Sequence, residues 1–481
     1  MNYRTIAKLL GTLLCVLAVS MLTTLAWTIY YGEAGTTWAF VGAAGVTLAA
    51  GAALYLYGRR EGGTISRREA LVVVTLSWFL IGIFGGLPYL FDGAFTNPAD
   101  AFFETVAGFT TTGSTVLTEI EALSYGAHYW RCLTHWLGGM GIIVLFIAIF
   151  PQLGVGAKHL FKSEVPGPIT EGLKPKIKET ASALWKIYVG LTAAEAVLLY
   201  LAGMDVFNAV CHAMSTLATG GFSTKNGSVA DFDSVAIDLI ITVFMFMAGI
   251  NFGLYFLAIR GRVSALFKDI EFRVYAGVVG LATVAIAINI LSIHPNPLEA
   301  LRYAVFQVVA VITTTGFGTD NFDAWPPFSK LLMVMLMFMG GMAGSTAGGM
   351  KVSRIMVVMK AAWIQVYKTF RPAAVKKVKL GRSVMPEDIE KSIFGFFVLF
   401  IAVFAGGSLF MGLLGLDVVT ATTSVIATLG NIGPGLARVG SVENFAFIPS
   451  VGKVFLSFCM ILGRLELYTV LVLFLPDFWR R

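Results

Sequence analysis

The chain of 481 residues is 57% hydrophobic and only 13% charged. Soluble domains carry about 25% charged residues, so this composition excludes an ordinary soluble protein and indicates that most of the chain lies in lipid. The net charge of +7 does not indicate nucleic-acid binding, because Lys and Arg cluster in a few segments between apolar runs. The four cysteines have neither disulfide spacing nor metal-ligand spacing.

The chain opens with two apolar runs, residues 6–30 and 38–57, each long enough to span a bilayer. The first is too long for the core of a signal peptide, so we interpret it as a retained transmembrane helix. Basic residues follow the second run and recur at 174–178, 260–268 and 368–382, whereas 93–100 and 318–328 contain none. The positive-inside rule therefore predicts that the basic loops and both termini face the cytoplasm.

Four similar segments follow, and their closing glycines lie about 100 residues apart. Before each segment stands an apolar stretch of about a dozen residues, too short to span a bilayer. Spanning runs precede these stretches at 70–91, 183–202, 274–291 and 393–414, and others follow at 130–150, 237–259, 331–358 and 451–475. The segments are Phe109-Thr-Thr-Thr-Gly113, Leu217-Ala-Thr-Gly-Gly221, Ile312-Thr-Thr-Thr-Gly316 and Leu429-Gly-Asn-Ile-Gly433.

This pattern predicts an all-α polytopic membrane protein. Four parallel pseudo-repeats of helix, pore loop and helix surround one pore, and two further transmembrane helices precede them. The predicted boundaries are 1–66 for the N-terminal pair, 67–165 and 166–268 for the first two repeats, 269–382 for the third with a glycine-rich loop, and 383–481 for the fourth.

The composition of the loops suits a dehydrated monovalent cation. Backbone that is not helical is tolerated at membrane depth only where it is buried in protein or lines water, so four such segments indicate one shared aqueous path. Rings of backbone carbonyls can replace the water shell of K⁺, and glycine permits the torsion angles that this requires. A single Thr-Thr-Thr-Gly would more simply be a turn or a helix contact through small residues, but four copies at one repeat position favour an ion path.

The four loops resemble those of the TrkH/TrkG/KtrB superfamily of bacterial K⁺ transporters, TrkH most closely. The resemblance covers the whole chain, including the two extra N-terminal spans. The motifs that carry it are Gly108-Phe-Thr-Thr-Thr-Gly-Ser-Thr115, Ser215-Thr-Leu-Ala-Thr-Gly-Gly-Phe-Ser-Thr224, Thr313-Thr-Thr-Gly-Phe-Gly-Thr-Asp-Asn-Phe322 and Ala427-Thr-Leu-Gly-Asn-Ile-Gly-Pro-Gly435.

The resemblance implies a K⁺ selectivity filter that is marked by one glycine in each loop: Gly113, Gly221, Gly316 and Gly433. The two residues before each glycine would supply carbonyls that face the ion: Thr111 and Thr112, Thr219 and Gly220, Thr314 and Thr315, Asn431 and Ile432. It also implies a homodimer in the bacterial inner membrane and a cytoplasmic nucleotide-binding regulator such as TrkA.

The second spanning runs align at Gly138-Gly139, Ala248-Gly249, Gly340-Gly341 and Gly463-Arg464. The third run then continues with more glycines, and each would cost a helix about 1 kcal/mol relative to alanine. We therefore predict a broken helix with a flexible loop across the path, at the place where the superfamily has a gating loop. Close helix packing through small residues is the alternative. The glycines of this loop are Gly340, Gly341, Gly344, Gly348 and Gly349.

Arg464 stands where the other three spanning runs have a small residue, so we predict that it faces the path below the filter and repels cations. A structural ion pair is the alternative for Arg464. For the intramembrane Glu104, a structural hydrogen bond and attraction of cations both remain open, whereas for Glu195 a structural partner is favoured. Glu466 is too close in sequence to face Arg464 on a helix, and we expect it to pair elsewhere.

The sequence thus predicts a K⁺ uptake channel or transporter subunit with K⁺ as the transported ion, no organic cofactor and no nucleic-acid partner. A secondary transporter coupled to Na⁺ or H⁺ is less favoured, because the repeats are parallel and only one helix is clearly broken. Nothing in the sequence indicates an enzyme. The basic segment 368–382 is expected to contact anionic lipid or the regulator.

Overall fold

The computed structural model describes residues 1–59, 65–141, 177–381 and 383–480, and the regular secondary structure of these residues is almost entirely helical. The strands β1 (Lys379–Leu380) and β2 (Ser383–Val384) form a two-stranded antiparallel ribbon. The helices are α1 (Tyr3–Leu22), α2 (Leu25–Tyr30), α3 (Ala34–Gly58), α4 (Arg67–Gly85), α5 (Leu87–Phe91), α6 (Pro98–Phe109), α7 (Tyr125–Gly139), α8 (Ile177–Leu201), α9 (Val206–Leu217), α10 (Val235–Ala248), α11 (Phe252–Ile259), α12 (Ser264–Lys268), α13 (Ile270–Ile290), α14 (Pro297–Ile312), α15 (Pro327–Met337), α16 (Val352–Phe370), α17 (Glu387–Leu413), α18 (Val418–Leu429), α19 (Ser450–Arg464), α20 (Tyr468–Leu471) and α21 (Pro476–Trp479).

Six helical segments of the described chain are long and apolar enough to cross a membrane, and the number rises to eight if two bent helix pairs each count as one span. The six are Tyr3–Tyr30, Ala34–Gly58, Arg68–Phe91, Ser182–Leu201, Ile270–Ile290 and Glu387–Leu413. They coincide with the two N-terminal spans and with the first span predicted for each repeat. The all-α polytopic fold is confirmed. Most of the predicted span 130–150 lies outside the described residues.

The prediction that only the third repeat has a broken second helix is wrong. The second pair, Val235–Ala248 and Phe252–Ile259, bends by 95°, and the fourth, Ser450–Arg464 with Tyr468–Phe474, bends by 110°. Between α10 and α11 the side chain of Asn251 accepts a hydrogen bond from the Gly253 amide and starts a new helix. Such local caps permit breaks that an apolar sequence does not reveal.

Four short helices, α6, α9, α14 and α18, begin at an Asn or Asp side chain that caps the first turn. The capping residues are Asn97, Asp205, Asn296 and Asp417. Three of these helices have 12 residues and α14 has 16. At 1.5 Å per residue, 12 residues cover about 18 Å, well short of the roughly 30 Å of a bilayer core.

The short helices are held in a ring by α7, α10, α15 and α19. Each short helix packs against the helix that follows its own loop and against the corresponding helix of the preceding unit: α6 contacts α7 and α19, α9 contacts α10 and α7, α14 contacts α15 and α10, and α18 contacts α19 and α15. Because the fourth unit contacts the first, the arrangement closes on itself and brings four distant parts of the sequence to one place.

Candidate functional site

All four short helices end in the same left-handed turn. The residue after the C-cap has φ of 55° at Thr111, 54° at Thr219, 57° at Thr314 and 54° at Asn431. The next amide donates to a carbonyl five residues earlier, at 2.8 Å in every case, as in a Schellman motif. A left-handed residue other than glycine or asparagine costs about 1–2 kcal/mol, so three threonines in this conformation indicate a geometry that the surroundings impose.

Two residues farther along, each loop has a glycine with positive φ: 80° at Gly113, 82° at Gly221, 77° at Gly316 and 106° at Gly433. A Cβ atom at each position would collide with a carbonyl oxygen of the next loop. The distances would be 2.0 Å from Gly113 to Gly220, 1.9 Å from Gly221 to Thr315, 2.0 Å from Gly316 to Ile432 and 2.9 Å from Gly433 to Thr112. The loops therefore contact one another in a closed cycle, which we call the loop ring, and it contains all twelve residues proposed from the sequence.

A cavity of about 120 Å³ opens on one side of the loop ring and is lined by its four positive-φ glycines, Gly113, Gly221, Gly316 and Gly433. Lys225 and Glu121 form an ion pair at 3.1 Å at its edge. The hydrogen bond from Lys225 lowers the pKa of the Glu121 carboxyl, so this carboxylate stays charged at neutral pH.

Buried polar side chains of the short helices and of α7 form hydrogen bonds that attach the loops to the short helices. Glu104, fully buried on α6, accepts hydrogen bonds from the Thr115 hydroxyl at 2.9 Å and the Val116 amide at 3.0 Å. The Arg131 guanidinium binds Glu104 at 2.9 Å and donates to the Ser223 carbonyl at 3.1 Å. This ion pair thus joins the first and second loops.

Two other short helices use the position equivalent to Glu104, nine residues before the loop glycine. His212 Nε2 lies 3.0 Å from the Ser223 hydroxyl, and Gln307 Nε2 donates to the Asp320 carbonyl at 3.0 Å. The fourth loop is fixed by Thr423, whose hydroxyl accepts from the Leu436 amide at 3.0 Å. Among the described residues no group of three or more His, Cys, Asp or Glu side chains could hold a metal ion.

On the opposite side of the loop ring, residues 338–351 leave the helical path between α15 and α16, and we call them the glycine-rich segment. The two ends of the segment are held together by a hydrogen bond from the Gly340 amide to the Met350 carbonyl at 2.8 Å. The segment enters the break between α10 and α11, where the Met342 amide donates to the Gly249 carbonyl at 2.9 Å and the Phe252 amide donates to the Gly344 carbonyl at 3.0 Å. It therefore supplies partners for backbone groups that the helix break exposes.

The tip of the glycine-rich segment lies directly against the loop ring. The Thr346 hydroxyl donates to the Leu217 carbonyl at 3.0 Å and the Ala248 carbonyl at 3.2 Å. The Gly348 amide donates to the Thr314 hydroxyl at 2.6 Å. A Cβ atom at Gly348 would lie 2.6 Å from the Gly430 carbonyl, so the segment touches the second, third and fourth units.

Arg464 is the last residue of α19 and connects the glycine-rich segment to the first unit. One terminal nitrogen donates to the Thr346 carbonyl at 2.9 Å, and the other donates to the Gly138 and Gly139 carbonyls at 2.7 and 3.1 Å. Glu466, two residues on, binds Arg354 at 2.5 Å.

The sequence model of the TrkH family, described as a cation transport protein, matches residues 38–481. The chain belongs to the TrkH family. It is 42% identical to the Trk system potassium uptake protein TrkH of Salmonella typhimurium and 40% identical to that of Escherichia coli K12, and each alignment covers all of both chains. The crystal structure of the potassium transporter TrkH from Vibrio parahaemolyticus superimposes with a TM-score of 0.90 at 37% identity and covers all of both chains. The predicted resemblance to this family is confirmed.

Three charged residues of this TrkH family member that bear on the site were missed in the sequence. Arg131 could have been found, since an arginine inside an apolar run needs a buried partner. Glu271 accepts from the Ala343 and Ser353 amides, each at 2.9 Å, and so links the glycine-rich segment to the first turn of α16. Lys351 is buried and donates to the Ala347 carbonyl. No local signal marks Glu271, because its backbone partners are brought close only by the fold, whereas the partner of Lys351 lies four residues earlier in the glycine-rich segment.

Proposed function

We propose that this protein takes up K⁺ across the bacterial inner membrane and that the loop ring is its selectivity filter. The observation that carries the proposal is the closed cycle in which each loop glycine abuts a carbonyl oxygen of the next loop. Rings of carbonyl oxygens replace the hydration shell of K⁺. The relatives in Salmonella and Escherichia are named potassium uptake proteins.

The ends of the short helices also favour a cation at the ring. The C-terminus of a helix carries roughly half a negative charge, and all four short helices end at the ring. The fourth loop departs from threonine in sequence, yet Asn431 has the same φ as Thr111, Thr219 and Thr314. The fourth loop can therefore present its backbone as the others do, which supports the twelve proposed filter residues.

The glycine-rich segment and Arg464 are proposed to close this path. The segment contacts the second, third and fourth units directly behind the loop ring, and Arg464 connects it to the first unit. A cation leaving the filter would meet both the segment and the guanidinium charge. The helix-packing alternative predicts only close contacts, whereas Gly340, Gly344 and Gly348 lie in a loop that is hydrogen-bonded to the second and third units and to α19.

The proposal also includes the repeat boundaries at 66, 165, 268 and 382 and the cytoplasmic location of both termini. It further includes a homodimer, a TrkA-like regulator and contact of residues 368–382 with lipid. Coupled transport is the second candidate, because three of the second helices are interrupted, as is common in secondary transporters.

The decisive experiment is uptake of ⁸⁶Rb⁺ into liposomes that contain only this protein, with K⁺, Na⁺ and Cs⁺ as competitors. Uptake driven by membrane potential alone, with K⁺ competing better than Na⁺, would support the channel. A requirement for a Na⁺ or H⁺ gradient would favour the coupled transporter. Uptake no greater than that into protein-free liposomes would refute both.

A further inference from the structure

The Arg464 guanidinium occupies a place where backbone carbonyls converge. One of its nitrogens binds both Gly138 and Gly139, the last two residues of α7. Carbonyls in the last turn of a helix lack the usual partner within the helix and carry partial negative charge, although the Gly138 carbonyl also accepts from the Met140 amide. A cation therefore stabilises them, and here the cation belongs to the chain.

Two more helix ends contribute carbonyls beside this place. Leu217 ends α9 and Ala248 ends α10, and both accept from the Thr346 hydroxyl. The Thr346 carbonyl in turn accepts from Arg464, so the hydroxyl and the guanidinium form one connected unit. We call the Gly138, Gly139, Leu217 and Ala248 oxygens the carbonyl cluster. Withdrawal of the segment together with Arg464 would leave all four without these donors.

An unused oxygen lies next to the carbonyl cluster. Asn431 is fully buried and its Oδ1 has no hydrogen-bond partner among the described residues. This oxygen lies 2.9 Å from the position of a Cβ atom at Gly463 and 3.3 Å from one at Gly348, beside Arg464 and the segment tip. The Asn431 amide nitrogen donates to the Thr112 hydroxyl, so this side chain links the fourth loop of the ring to the first.

We propose that the carbonyl cluster is a second K⁺ site, whose oxygens are bound by Arg464 and Thr346 when the path is closed and by K⁺ when the segment withdraws. The proposal rests on the proposed function and adds that the chain's own donors and the ion bind the same oxygens in turn. Neutral carbonyl oxygens suit K⁺, whereas Ca²⁺ sites are typically built with carboxylates. Closing then exchanges one cation for another, and the buried carbonyls keep a partner in both states.

The test is anomalous diffraction from crystals of the full chain grown in RbCl, because Rb⁺ replaces K⁺ and can be located directly. The parent should show Rb⁺ in the loop ring only. Arg464→Met should gain a further Rb⁺ peak that contacts the Gly138 and Gly139 carbonyls. Arg464→Lys, which keeps a charge in the site, should not gain it, and neither should Arg354→Met, which removes a nearby charge without touching the carbonyl cluster.

An Arg464→Met structure with Rb⁺ in the loop ring but none at the carbonyl cluster would overturn this inference and leave the filter proposal intact. Absence of Rb⁺ from the loop ring of the parent would instead refute the filter proposal. If Arg464→Met fails to fold, Arg464→Leu decides in the same way, since it also lacks both the charge and the hydrogen-bond donors. A further Rb⁺ peak in Arg354→Met would show that local charge controls binding, and would also overturn the inference.

Discussion

Replacing Gly316 by serine tests the proposed filter most directly. Gly316 has a φ of 77°, and a Cβ atom there would lie 2.0 Å from the Ile432 carbonyl oxygen and 2.8 Å from Pro434 Cδ. Gly93 provides a matched control, because its φ is also 77° but nothing lies within 4 Å of its Cβ position. Gly93→Ser therefore pays only the left-handed backbone cost of about 1–2 kcal/mol.

The difference between the two variants isolates the contact between loops. Real Cβ atoms essentially never approach closer than 3.0 Å, so the Ile432 carbonyl must move by at least the difference, 3.0 minus 2.0, or 1.0 Å. This carbonyl is one of those proposed to face the ion. A displacement of this size should cost K⁺ over Na⁺ preference on the order of tenfold, which corresponds to about 1.4 kcal/mol.

The assay is competition of K⁺ and Na⁺ against ⁸⁶Rb⁺ uptake into liposomes, normalised to folded protein by size-exclusion chromatography and thermal melting. Gly316→Ser should reduce the ratio of Na⁺ to K⁺ concentrations needed for half inhibition, and Gly93→Ser should leave it at the parent value. An unchanged ratio in folded Gly316→Ser would refute the filter assignment. An equal loss in both variants would mean that backbone strain, rather than the loop contact, is responsible.

Other contacts give three further predictions. Arg464→Ala should raise basal flux on the order of a hundredfold, since a charge about 6 Å away at an effective dielectric of about 20 repels a cation by about 3 kcal/mol. Arg464→Lys should give a flux nearer that of the parent. An unchanged flux in folded Arg464→Ala would contradict the proposal that Arg464 closes the path. Glu271→Gln should raise basal flux several-fold, because weaker bonds to the Ala343 and Ser353 amides lose about 1 kcal/mol of the attachment of the glycine-rich segment. Asp269→Asn, which keeps a helix cap, is the flux control. Arg131→Met should lower the melting temperature markedly, since an unpaired buried Glu104 costs about 3–5 kcal/mol. Adding Glu104→Gln should restore part of that loss. Full stability of the single variant would contradict the inference that the ion pair between Arg131 and Glu104 stabilises the loops.

The sequence determined the features that depend on neighbouring residues. Apolar runs define the first span of each unit, and short apolar stretches before Gly113, Gly221, Gly316 and Gly433 define the short helices, because helix length and bilayer thickness are fixed quantities. The glycine run after Gly340 likewise indicated a break, since repeated glycine disfavours a helix.

The breaks after Ala248 and at Glu466 were not foreseeable, because the groups they expose are satisfied from elsewhere in the chain. The Gly249 carbonyl is bound by Met342, nearly a hundred residues away, and Glu466 by Arg354. A break in an apolar helix is tolerable only when such partners exist. No pattern in the neighbouring sequence indicates them.

The repeats located the loops, but only the tertiary structure decided what each loop touches. Gly316 needs to be glycine because of the Ile432 carbonyl, and Arg464 is satisfied by the ends of α7 and by Thr346. These contacts join residues more than a hundred positions apart, whose approach depends on how four units close into a ring. A sequence pattern specifies each unit by its local periodicity, whereas closure depends on packing between units, which no single segment encodes.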